Sequence, residues 1–170
     1  MFVSPRPLYV ALLLPLCLAA CGSDATTEPQ PVVRQVTAEC TLTFSAPPSV
    51  PPPPTFTQTD TGSCVFSRLG PLAFSGELEI NTAALTQRGT RTFTARDGSA
   101  FRAVVEGTST PRAPGLLDFV ATLRILGGTG RFTSVSGSLE GRGTANQQTR
   151  TTTVTFTGTL TYLPIAEEGA

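Results

Sequence analysis

The sequence predicts an all-β fold, a single antiparallel eight-stranded β-barrel, and three observations carry that prediction. Apolar and polar residues alternate with a period of two along most of the chain from Val36 onward, the mark of strands with one buried face. Thr is abundant, and its branched Cβ suits a pleated surface better than a helix. Short turn signals separate about eight such segments, with no amphipathic helix of useful length between them. Consecutive strands joined by short turns pair antiparallel, and so many edges call for closure. A sandwich is the alternative. Glycines on inward faces (Gly76, Gly137, Gly141 and Gly158) favour the barrel, whose strong coiling needs them.

The 170 residues suit one domain. At the N-terminus, Arg6 precedes the apolar run Leu8–Ala20, which is long enough for a signal-peptide core and too short to cross a bilayer of about 30 Å. That run ends in Leu18-Ala19-Ala20-Cys21, which resembles a bacterial lipobox. The resemblance implies a lipoprotein signal peptide over residues 1–20, cleavage before Cys21, and lipidation of its thiol. Ordinary secretion with cleavage near Ala20 is the rival. Gly22 and Ser23 follow, with no Asp directly after Cys21, so the resemblance points to the outer membrane or cell surface of a bacterial envelope rather than to the inner membrane. Residues 21–35, rich in small, polar and Pro residues, read as a flexible tether. The barrel is expected over 36–164 and a disordered tail over 165–170.

The strands follow in order. Val36, Ala38, Cys40, Leu42 and Phe44 alternate with polar residues. Ala46–Pro54 is too Pro-dense to join a ladder and reads as a stiff, polyproline-like loop. A short strand is expected over Cys64–Leu69, then one with Leu72, Phe74, Gly76, Leu78 and Ile80 inward and Glu77 and Glu79 outward. Asn81–Gly89 is a connection. Thr90–Arg96 and Ser99–Thr108 flank Asp97-Gly98, a strong hairpin signal. Beyond a turn at Pro111–Gly115, Leu117, Phe119, Ala121, Leu123 and Ile125 face in. Gly137, Leu139, Gly141 and Gly143 share a face, Ala145–Gln148 turns the chain, and Val154, Phe156, Gly158, Leu160 and Tyr162 close the pattern.

Four cysteines divide by position: Cys17 lies in the signal, Cys21 is the lipid site, and Cys40 and Cys64 remain. In an oxidising exported compartment such a pair is expected to form a disulfide. A catalytic or metal-binding thiol would need a His partner or CxxC spacing, and the chain has neither. Twelve Arg balance twelve acids, and removing the signal with Arg6 leaves 11 against 12. That offers no electrostatic footprint for nucleic acid.

Between the sixth and seventh segments stands Gly127-Gly128-Thr129-Gly130-Arg131-Phe132, running to Gly137. It is similar to the GGTGxFxxAxG signature of dirigent proteins and the related allene oxide cyclase-like barrels, with Val135 where that pattern commonly has Ala. The resemblance implies an eight-stranded antiparallel barrel around a largely apolar cavity. From the residues themselves, Gly127, Gly128 and Gly130 permit a tight connection. Phe132 would plug one end, Gly137 would admit a bulky neighbour, and Arg131 would clamp loop carbonyls or an outside carboxylate. A phosphate-loop reading fails, since no Lys-Ser/Thr pair follows and no helix begins there.

Catalytic residues are not assigned. Strand parity puts Glu77, Glu79, Glu106 and Asp118 outside, and without His the usual base near neutral pH is missing. No inward acid/base pair is expected, and neither a cofactor nor a metal. Phe74, Phe101, Phe119, Phe156 and Tyr162 are the expected cavity residues. The expected partners are a membrane, through the lipid anchor, and a small apolar or aromatic ligand. A solid-cored structural or interaction module is the alternative, and a cyclase or isomerase the more remote one. A membrane-spanning barrel is disfavoured by the lipobox and by the absence of aromatic girdles.

Overall fold

A computed structural model describes residues 30–163 of the chain. The signal peptide, Cys21, most of the tether and the C-terminal tail lie outside the described residues. The strands are β1 (Val32–Phe44), β2 (Thr55–Phe66), β3 (Gly70–Asn81), β4 (Thr86–Thr94), β5 (Ala100–Ala113), β6 (Leu116–Gly128), β7 (Ser136–Asn146) and β8 (Thr151–Tyr162). They form a closed antiparallel barrel in sequence order, with β1 paired to β8. A single 3₁₀ turn, Gly130–Phe132, interrupts the β6–β7 connection.

Alternation does most of the sorting. Leu72, Phe74 and Leu78 of β3, Phe119 to Ile125 of β6, and Val154, Phe156, Leu160 and Tyr162 of β8 point in at every second position. Outside stand exposed threonines of β1 and β8, with Glu77, Glu79 and Arg88, the opposite of the apolar belt a lipid-facing barrel needs. Val33, Val65 and Val120 stand singly among them, and Leu126 is also turned out, 51% exposed. A bulge opposite Arg102 and Ala103 inserts it as an extra residue, so parity reverses just before the glycine motif.

Several strands are longer than the sequence suggests. β4 begins at Thr86, inside the expected connection Asn81–Gly89, and β5 runs to Ala113, into the expected turn, because both ends pair across the β4–β5 and β5–β6 ladders. β1 begins at Val32 rather than Val36, because Val32–Gln35 pair with Thr159–Tyr162 of β8. β2 begins at Thr55 rather than at Cys64, and pairs along its whole length with β3. Cys40 and Cys64 stand directly opposite one another and form a disulfide inside the barrel wall, 24 residues apart in sequence.

Candidate functional site

Up-and-down order sends alternate connections to opposite ends. One end carries 67–69, 95–99 and the glycine motif; the other carries 45–54, 82–85, 114–115 and 147–150. The two ends are built differently.

At the first end the interior is solid with aromatic rings. Phe93 and Phe101 stack with centroids 4.9 Å apart, Phe66 stands edge-on to both at 5.8 and 6.0 Å, and Phe132 closes on Phe101 at 5.3 Å. The 3₁₀ turn brings Phe132 there. Gly130 has φ +58°, and a side chain on it would collide with Ser99, so glycine is required on both counts. Arg131 covers the plug: its Cζ lies 4.9 Å from the Phe132 ring centroid, Nη2 donates to Leu69 O at 3.3 Å, and Nε lies 3.6 Å from Asp97 Oδ2. Asp97 Oδ1 accepts the Ser99 N–H at 3.0 Å. That bond, with a smaller contribution from the Arg131 charge, holds the Asp97 carboxyl below its ordinary pKa. Motif residues thus join three connections at one end of the barrel.

The second end is open, above a cavity of about 390 Å³, within the range of small-molecule sites. Leu42, Phe44, Phe56, Ile80, Leu117 and Phe119 supply much of its apolar wall, and Gln58, Gln87 and Thr152 add polar groups. The rim is hydrogen-bonded. Thr82 N–H donates to Pro54 O, Ser109 N–H to Leu85 O and Gln147 N–H to Gly115 O, each at 2.8 Å, and Phe44 N–H donates to Arg150 O at 3.1 Å. Leu85 and Arg150 are the described non-glycine residues with positive φ, at 54° and 55°. Both line the cavity, and in each the left-handed turn presents a carbonyl to a neighbouring strand. Such conformations cost of order 1–3 kcal/mol unless their surroundings fix them; here the acceptor bonds hold them. The mouth is therefore pre-formed.

The cavity floor is ionic. Asp60 of β2 and Arg91 of β4 are 2% and 4% exposed and form a buried salt bridge through Asp60 Oδ2, which accepts from Arg91 Nε at 3.0 Å and also from its Nη2. Gly76 of β3 lies between them in register. A side chain there would collide with Asp60 Oδ1 and come within 2.7 Å of Arg91 Cγ, so the glycine supplies the room in which the pair meets. Arg91 Cζ lies 5.3 Å from the Phe74 ring centroid, on the boundary with the aromatic half. Asp60 Oδ1 has no hydrogen-bond partner.

Several site expectations are corrected here. Of the five cavity aromatics named from sequence, Phe119 lines the cavity. Phe101 belongs to the ring stack, and Phe74 packs on Phe93 with centroids 5.5 Å apart. Phe156 fills the space that Gly141 leaves. Tyr162 is buried opposite Val32, at the plugged end. Glu77, Glu79, Glu106 and Asp118 face outward. The expectation that no ionisable pair faces inward is overturned by Asp60 and Arg91, which parity could have found. Counting back by twos from Cys64 through Gly62 reaches Asp60, but a strand begun at Cys64 never gets there.

Neither a family model nor a characterised protein sequence matches this chain. Among solved structures it is similar to that of the pterocarpan synthase dirigent protein GePTS1, at 11% identity and a TM-score of 0.53, over 80% of this chain and 93% of that one. At that identity the likeness is one of fold: this chain has the eight-stranded barrel of a dirigent protein.

Proposed function

We propose that this chain is a bacterial envelope lipoprotein whose barrel binds one small, mainly apolar molecule and performs no chemistry on it. The observation that carries this reading is the cavity of about 390 Å³ at one end, its walls apolar and its rim held open by hydrogen bonds. A ligand entering a pre-formed site loses less affinity to ordering the protein. The solid-core alternative fits the aromatic half alone.

Cys21 and the LAAC sequence support the anchor. β1 starts at the plugged end, so a lipid on Cys21 tethers that end, and the stretch from Cys21 to Val32 reaches at most roughly 40 Å. The mouth is at the opposite end of the barrel from that tether. Two measurements separate the parts of this reading. Native mass spectrometry of the soluble domain should show a copurifying small molecule, or thermal shifts with apolar compounds; a clean apo mass and no shift from any lipid or phenolic compound count against binding. Cys21→Ala should release the protein from membranes, and unchanged membrane fractionation would sink the anchor.

A further inference from the structure

The cavity floor says more about the ligand than its walls do. Building on the binding reading above, we propose that Asp60 and Arg91 select a ligand whose inner end is a neutral hydrogen-bond donor, an alcohol or a primary amide on an apolar body. Both residues line the cavity. Their mutual contact uses Asp60 Oδ2, while Oδ1 is buried without a partner. It lies over Gly76, in the space any side chain there would occupy.

A buried acceptor with nothing to accept costs about 1–3 kcal/mol, and a donor on the cavity's contents removes that cost. The charge of the donor matters as much as its hydrogen. The floor is already neutral, one carboxylate against one guanidinium. An ammonium would bring a second cation beside Arg91 and shed its own hydration. A carboxylate offers Oδ1 no proton and meets the Asp60 charge. An ether fits the walls equally well but leaves Oδ1 unpaired. A neutral hydroxyl or amide N–H satisfies Oδ1 without disturbing the balance. The rival anchor is Arg150, which lines the mouth and would favour an acidic head directed outward.

The test uses probes of matched body: octanol, octanamide, heptyl methyl ether, octanoate and octylammonium, titrated by calorimetry into the mature domain. Octanol and octanamide are expected to bind about tenfold more tightly than the ether, the weight of one hydrogen bond. Octanoate and octylammonium should be weaker than octanol. The double variant Asp60→Leu/Arg91→Met replaces the pair with apolar groups of similar volume, a change folds commonly tolerate. It should keep ether binding and lose the tenfold preference. Asp60→Asn leaves Arg91 without its counter-charge and should strengthen octanoate relative to octanol. Equal binding of octanol and ether in the wild type overturns the inference and leaves the binding reading intact. So does a wild-type preference for octanoate that Arg150→Gln abolishes. If every probe fails, the ether included, the cavity reading falls and the inference with it.

Discussion

The two halves of the barrel share eight strands and one alternating pattern, yet they bury different things. Toward the glycine motif, inward positions carry Phe66, Phe93, Phe101 and Phe132, whose rings meet edge to face or stacked and leave little space. Toward the other end, smaller or less complementary groups such as Leu42, Gln58 and Gln87 leave a cavity. Between the halves stands the row Asp60–Gly76–Arg91. One half is a foundation that fixes closure of the sheet; the other is free to be hollow because that foundation exists. A barrel with an aromatic plug at one end can carry a buried ion pair in its middle, where an isolated pair would otherwise open to solvent.

This division can be broken most forcefully in the aromatic half. Phe101→Ala removes a fully buried ring that touches Phe66, Phe93 and Phe132 and should cost about 3–5 kcal/mol. Phe56→Ala, at a half-buried ring lining the mouth, should cost only about 1 kcal/mol while altering ligand affinity. Urea unfolding of both variants, with ligand titrations beside it, reads the contrast. Comparable stability losses would dissolve the distinction between foundation and vessel.

The disulfide comes next. It closes a loop of 24 residues containing the proline-rich rim segment, and the double variant Cys40→Ala/Cys64→Ala should lose about 3 kcal/mol in the chain-entropy account. A loss under about 1 kcal/mol would mean that ladder pairing of β1 with β2 and β8 already holds the rim. Smaller again is Gly76→Ala, which forces a methyl into the ion pair; overpacking of this kind costs about 1–3 kcal/mol. Unchanged stability would show that Asp60 and Arg91 can separate without penalty, and the floor would then be no fixed partition.

Much of the barrel could be read from sequence, and the limits of that reading are physical. Period-two alternation identifies inward residues wherever they are apolar, as along Leu117–Ile125 and Val154–Tyr162. It fails where inward residues are polar or small: after Phe56 the inward Gln58, Asp60 and Gly62 break the apolar face, so the first part of β2 carries no strand signal. The disulfide followed from cysteine number and compartment. The glycine motif announced the plug because tight turns demand particular residues. Which aromatics line the cavity was not legible. Sequence gives the face of each residue but not its height along the barrel axis, and height separates Phe119 at the mouth from Phe101 and Tyr162 near the plug.

The gentlest probe is electrostatic and touches the plugged end alone. Asp97 is held below its ordinary pKa of 3.8 chiefly by the Ser99 N–H, and also by the Arg131 charge. Because the folded value is the lower one, Asp97 favours the folded state above the unfolded carboxyl's pKa. That contribution is lost as pH falls through the folded value. Asp97 is exposed, so solvent screens the effect and a small change is expected. Urea midpoints followed from neutral pH down past 3.8 should fall less steeply in Asp97→Asn than in the wild type, with ligand affinity at neutral pH the same in both. Identical acid limbs would show that Arg131 holds the plug through Leu69 O and the Phe132 ring without help from the carboxylate. A change in ligand affinity would show that the plug reaches the cavity, and that the floor does not insulate one half from the other.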